Sequence, residues 1–290
     1  MHTPVSRLNG AFGTTRPVRR PLLIGHLPAG YPTIENSVTA LRALSRHVDV
    51  LGVDLPHPDL APESPSVRAA AHAALSAGIT QSDIMGIVRE LTATVRVPVM
   101  LVSPWAPIAR TGPETVAAAL STAGASGVVL PGVAPAGAGA TRWLAAVAEH
   151  RLGTTFMASG EHLSAAADLS TSWVYLPLVD EDLAAAELGG QDEGREPVED
   201  MLNLTRLRRR TLQLRKQTLA PICVGVGISS PSQAAAVIDR VRVDGIVIGS
   251  AFVRSLMYAP TFEQGITCLH RRARTYAEAL RPRRKQRAVA

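Results

Sequence analysis

The sequence predicts an α/β chain folded as a single closed (β/α)8 barrel of the TIM type, and three observations carry that expectation. The chain has 290 residues, close to the ~250 typical of one such barrel. Eight short apolar runs alternate with longer stretches of helical periodicity, the pattern of parallel strands covered on both faces. Hydrophobic residues make up 46% but aromatics only 4%, so the core must be built from Ala, Val, Leu and Ile, which suits layered barrel packing. A doubly wound open sheet is the alternative arrangement of the same elements.

The expected strands are Pro21–Leu27, Val48–Leu55, Pro98–Ser103, Gly127–Pro131, Gly153–Ala158, Trp173–Leu178, Pro221–Val226 and Gly245–Ile248. Thr33–His47 reads as a helix because Thr33 is a good cap and Val38, Leu41 and Leu44 share a face. Gln81–Val95 has Ser82 and Asp83 near its start and puts Ile84, Ile87, Leu91 and Val95 on one stripe. Pro113–Thr122, Ala136–His150, Leu163–Leu169, Val198–Thr218 and Pro231–Val241 complete the helical set. The domain reading is therefore a flexible N-terminal segment over 1–20, the barrel over 21–280 and a basic disordered tail over 281–290. Residues 179–198 are long, acidic and follow the sixth strand, on the face where barrel sites are built; a lid or partner surface is expected there.

Charge is unevenly spread. Residues 271–290 hold eight basic residues and one acid, a net +7 against the chain's total of +6, so residues 1–270 carry −1. The excess reads as a solvated tail, and no basic groove with interleaved aromatics points to nucleic acid. Cys223 and Cys268 are far apart and lack metal-type spacing. No long apolar run suggests a signal peptide or membrane span, and a reducing cytoplasm is the expected compartment.

The chemistry-bearing motifs lie late in the chain. GVGISSPSQ ends the seventh strand at Gly225 and Gly227, then opens a helix at Ser229, Ser230 and Pro231. DGIVIGSAFVR repeats the device after the eighth strand with Gly249 and Ser250. Glycines let a ligand approach the backbone, and the helix starts offer N–H groups to an anion. In β/α barrels these two loops together commonly hold phosphate.

These two segments resemble the corresponding parts of tryptophan synthase alpha chains. So do LLIGHLPAGYP at 22–32, PHPDLAPESP at 56–65, SAGIT at 76–80, PVMLVSPWAPIARTG at 98–112 and GASGVVLPG at 124–132, all in the same order. The resemblance implies a lyase that splits indole-3-glycerol phosphate into indole and glyceraldehyde 3-phosphate. It implies no cofactor on this chain, and a pyridoxal-phosphate beta-type partner met through the Pro56–Asp59 loop and the loop after the sixth strand. It also implies phosphate contacts at Gly227, Gly249 and Ser250, and a site lined by Tyr175.

The carry-over is uneven. The family's indole-anchoring Asp corresponds to Glu63. Its catalytic Glu at the end of the second strand falls on Gly52 or on Val50, depending on the anchor, or on Asp54 if a small gap intervenes. Asp54 is then the acid/base candidate, because strand residues two apart share a face. The family's Gly/Thr motif after the sixth strand is absent, Gly132 stands where an Asp is often found, and His26 replaces an aromatic near the end of the first strand. His26 is expected to contact the substrate, since a histidine can titrate near neutrality; a structural, hydrogen-bonded histidine at a strand end is the other reading. Two expectations stay open: an active lyase, or a catalytically degenerate barrel that activates a beta-type partner or takes another phosphorylated substrate.

Overall fold

The computed structural model describes residues 20–58, 64–132, 137–159, 162–178 and 197–281, preceded by Leu8 and Gly10–Phe12; of 197–203 only the backbone is considered. The elements run β1 (Leu22–Pro28), α1 (Ile34–Ser45), β2 (Val50–Asp54), α2 (Pro65–Ser76), α3 (Gln81–Thr94), β3 (Val99–Val102), α4 (Trp105–Thr111), α5 (Pro113–Thr122), β4 (Gly127–Leu130) and α6 (Ala138–Glu149). They continue with β5 (Gly153–Phe156), α7 (Leu163–Leu169), β6 (Val174–Pro177), α8 (Pro197–Gln217), β7 (Ile222–Gly225), α9 (Pro231–Val241), β8 (Gly245–Ile248), α10 (Ser250–Met257) and α11 (Phe262–Ala279).

All strand pairs are parallel, in the order β5-β4-β3-β2-β1-β8-β7-β6. The two outer strands meet just past β5, where Met157 bridges Tyr175 and the Ala158 N–H donates to the Tyr175 carbonyl at 2.7 Å. That contact closes the barrel and decides against the open sheet.

The alternation of each strand now has a direction. Leu23, Leu27, Leu51, Val53, Val99 and Leu101 face outward into one apolar cluster with the helices. Ile24, Val50, Met100, Val129, Tyr175 and Val247 face inward into a second, smaller cluster. A closed barrel needs these two separate cores, and period-2 alternation of uniformly apolar strands supplies both. Leu8, 1% exposed, belongs to the inner cluster, and the Phe12 ring lies 5.4 Å from that of Trp173. Within the stretch expected to be flexible, these residues therefore pack on the barrel interior.

Local chemistry sets the helix starts. Thr33, Ser64, Ser230 and Thr261 each accept a backbone N–H three residues on. The start of α3 is capped by Thr80 in a reciprocal capping box with Asp83. Four helices escape a periodicity reading. Helix α2 buries small side chains, Ala70, Ala71 and Ala74, which give little pattern. Helix α4 has seven residues with Pro107 among them. Helix α10 is short and begins inside the Gly-Ser motif. Helix α11 is masked by charge: of the basic 271–290 stretch, residues 271–279 form its end, with Ala273 and Tyr276 buried and Arg271, Arg272 and Arg274 on the wet side. Of the tail expected over 281–290, residues 282–290 lie outside the described residues.

Helix α11 is tied to the end of α1 by His47 Nε2 and His270 Nδ1, 2.9 Å apart. Burial, then His270, Arg274 and Arg46, holds the His47 imidazole below its ordinary 6.5. Burial and Arg46 do the same for His270. Both are neutral in the fold, so the unfolded chain binds protons more readily and stability drains as pH falls below about 6.5. The melting temperature should drop between pH 7 and pH 5, and His270→Asn should flatten that slope. Equal slopes in the two proteins would refute the link.

Candidate active site at the C-terminal mouth of the barrel

The inward face of the strand ends carries the site. The parallel register sets His26 opposite Gly52 and Pro28 opposite Asp54. His26 and Asp54 are 6% and 4% exposed, and His26 Nδ1 lies 2.9 Å from each Asp54 carboxylate oxygen. An ionised carboxylate only accepts, so with Asp54 ionised this contact takes its proton from Nδ1.

Glycines make room for the ring. A Cβ on Gly52 would come within 2.6 Å of the His26 Cβ, and one on Gly249 within 2.2 Å of His26 Cε1 and Nε2. The imidazole, carried on β1 between β2 and β8, therefore lies against Gly249 at the start of α10. Tyr175 occupies the matching space beside Gly225, where a Cβ would meet its hydroxyl at 2.6 Å. Alternating large and small inward residues is how a tight barrel fits its side chains.

Below this layer lies a narrow internal pocket. Its floor is apolar: Ile24, Val50, Met100, Val129, Trp173 and Val247. Its rim is His26, Gly52, Val102 and Tyr175. No carboxylate lines it among the described residues; Asp54 reaches it through His26. Val50, 0% exposed, and Gly52 occupy the two lower inward places on β2, so neither alternative position for a family-type Glu carries an ionisable group.

The structure thus gathers His26, Asp54, Tyr175, Gly225 and Gly249 into one place. Ser250 opens α10, whose cap residue Gly249 offers no side chain. Gly227 (φ +93°) turns the chain out of β7 in the left-handed region, which suits glycine. Ser229 stands apart from a bare anion cradle: its N–H donates to Gln233 Oε1 at 2.8 Å. Glu63 and Asp59 lie outside the described residues. Nearby, Arg110 donates to His57 Nε2 at 3.1 Å, tying the loop after β2 to α4.

Sequence reading named His26 and Asp54 separately but missed their contact. The available signal was that both close adjacent strands on inward positions. It also missed Trp173 and Met100 as floor residues; their signal was strand alternation from Tyr175 and from Val102. Cys223 is buried as ordinary packing, and burial pushes its thiol well above the usual range. Among the described residues no cluster of three or more His, Cys, Asp or Glu is placed to hold a metal ion. No described helix is long and apolar enough to cross a membrane.

Fold and site together define a (β/α)8 barrel protein with a buried histidine–carboxylate pair at the C-terminal strand ends, the face where barrel enzymes carry their chemistry, above a narrow apolar pocket. The family model described as tryptophan synthase alpha chain matches residues 12–281. The chain belongs to the tryptophan synthase alpha chain family. It is 32% identical over 283 residues to the tryptophan synthase alpha chain of Streptomyces coelicolor, covering 96% of this chain and 97% of that one. A crystal structure of tryptophan synthase from M. tuberculosis superimposes with a TM-score of 0.74 at 30% identity, over 95% of this chain and 99% of that one. The alpha subunit from Legionella pneumophila gives a TM-score of 0.77 at 23% identity, over 94% and 98%, and supports the fold. Family members carry no cofactor of their own; pyridoxal phosphate sits on the beta chain.

Proposed function

We propose that this chain is a carbon–carbon lyase of its family's type, cleaving indole-3-glycerol phosphate to indole and glyceraldehyde 3-phosphate in the cytoplasm. The observation that carries the reading is the buried Asp54–His26 pair at the C-terminal strand ends, ionisable chemistry beside an apolar lining. In this reading the pair supplies acid/base catalysis. Tyr175 lines the site in the room left by Gly225, and Gly227, Gly249 and Ser250 receive the phosphate. Glu63 would orient the indole nitrogen. A beta-type chain would dock over the Pro56–Asp59 loop and the loop after β6, with His57 and Arg110 bracing the first.

A second reading has its own support. Val50 and Gly52 leave the lower inward places of β2 without a carboxylate, which favours a degenerate barrel whose task is to bind and activate a beta-type partner. Removing a positioned acid/base typically costs about 10²–10⁴-fold. Indole release by the purified protein, alone and with a beta-type chain, separates the two. The lyase reading expects turnover that Asp54→Asn lowers by about two orders of magnitude or more. Turnover untouched by that variant, or none even with the partner, would sink it. A beta chain that speeds up on mixing while no indole forms would establish the second reading.

A further inference from the structure

We propose that the outer face of α8 is a docking surface for an anionic lipid bilayer, on which the barrel lies without crossing it. The inference is independent of the chemistry proposed for the mouth.

The charge of this helix has one sign. From Leu204 to Pro221 the sequence holds six basic residues and no acid. Three of the six are engaged within the fold. Arg210 donates to the Ala158 carbonyl, Arg215 pairs with Asp244 at 2.6 Å, and Arg206 makes an interaction as well. The other three, Arg208, Arg209 and Lys216, are exposed and have no ion-pair partner among the described residues. Neighbouring α9 ends with exposed Arg240 and Arg242 against one exposed acid, Asp239.

Apolar side chains share this face. Among the described residues four large apolar side chains are exposed, and two of them are here: Leu212 at 56% and Leu219 at 101%. The barrel is already packed by the opposite stripe, where Leu207, Thr211 and Leu214 are buried. Arg208, Leu212 and Lys216 are spaced four apart and form one row on the wet side. Arg209 flanks that row, and Leu219 projects from the turn just beyond the helix.

Leucines set among unopposed cations suit the boundary between lipid headgroups and acyl chains. The leucines enter the apolar side, while the Arg and Lys stems lie along it and their heads reach the phosphates. An anionic leaflet adds long-range attraction. Nucleic acid offers phosphates but no place for two leucines, and this face carries no aromatic ring on which a base could stack. A protein partner would need a groove cut to a convex helix; a fluid bilayer needs none. The contact is adsorption only: no described helix is long and apolar enough to cross a membrane. Helix α8 joins β6 to β7 on the outer wall, so docking there leaves the mouth open to substrate.

Co-sedimentation of the full chain with vesicles tests the proposal, using phosphatidylcholine alone and phosphatidylcholine mixed equally with phosphatidylglycerol. Wild type should partition onto the mixed vesicles only, and less as salt rises. R208Q/R209Q/K216Q should lower the partition about 100-fold, at about fivefold per charge removed. L212Q/L219Q keeps every charge and should still lose about tenfold, a loss that a purely electrostatic contact would not show. Melting temperatures of both variants should match wild type, because the altered side chains are exposed. A chain ended at Arg281 should keep its sensitivity to both sets of substitutions. Absence of wild type from the mixed vesicles overturns the proposal. So does binding that disappears with residues 282–290 and ignores the helix variants, which would assign it to the basic tail. If the leucine variant partitions like wild type, while the charge variant loses vesicles and duplex DNA alike, the face takes a soluble polyanion and the bilayer assignment fails.

Discussion

Gly249→Ala should cut indole release by about two orders of magnitude, the loss expected when an acid/base is moved off its working position. The added Cβ would lie 2.2 Å from both Cε1 and Nε2 of His26, far inside contact distance. His26 is not a flexible chain that can swing clear. Its Cβ is already close against Gly52, and its Nδ1 is held by Asp54. The ring must tilt, which breaks the pairing, or α10 must shift, which moves the first N–H groups of a helix start proposed to meet phosphate. Overpacking of this kind costs about 1–3 kcal/mol, so the variant should fold while losing function. Steady-state indole release, and calorimetric titration with glycerol phosphate, check it. A variant with wild-type rate and wild-type phosphate affinity would show that neither the ring position nor this helix start serves the ligand.

Trp143→Ala should be the most damaging single change to stability away from the site. Trp143 on α6 is 0% exposed, donates from Nε1 to the Thr154 hydroxyl at 2.9 Å, and packs edge-to-face on Trp105 with centroids 6.2 Å apart. Truncating a buried Trp costs about 3–5 kcal/mol, and the variant also strands a buried Thr154 hydroxyl. A drop in melting temperature of roughly 10 °C is expected at about 2–4 °C per kcal/mol. Trp143→Phe refills most of the volume and should recover more than half of the loss. The residue lies in the outer core, between strands and helices, so the Phe variant should retain activity. Unfolding curves of both variants that overlay the wild type would refute this account of the outer layer.

Much of the fold was legible because its determinants are local or periodic. Each of the eight strands was found within two residues at each end, since apolar runs bounded by Gly, Pro and Ser have few other readings. Helices opened by Thr33, Ser230 or Pro113 were found because caps and N1 prolines act within one turn. Helices α2 and α11 were hidden for opposite reasons. Alanine gives α2 propensity without contrast, and arginine gives α11 a charged outer face that reads as tail. Tertiary burial of Leu269, Ala273 and Tyr276 makes α11 part of the domain.

The sequence by itself determined the barrel, the order of its parts, and a short set of ionisable and glycine positions at the strand ends. Alternation fixed that Asp54 shares a strand face with Gly52 and that His26 sits near the end of β1. Only the tertiary structure decided what they touch. His26 and Asp54 are 28 positions apart, and their contact depends on the stagger of β1 against β2 and on the empty space at Gly52 and, 223 residues beyond His26, at Gly249. Parallel strands of near-uniform apolar residues carry little register information of their own, because sliding one past another changes few side-chain chemistries. Closure of the barrel and the packing of its helices set that stagger, and with it the pairing of an imidazole and a carboxylate at the mouth of the cavity.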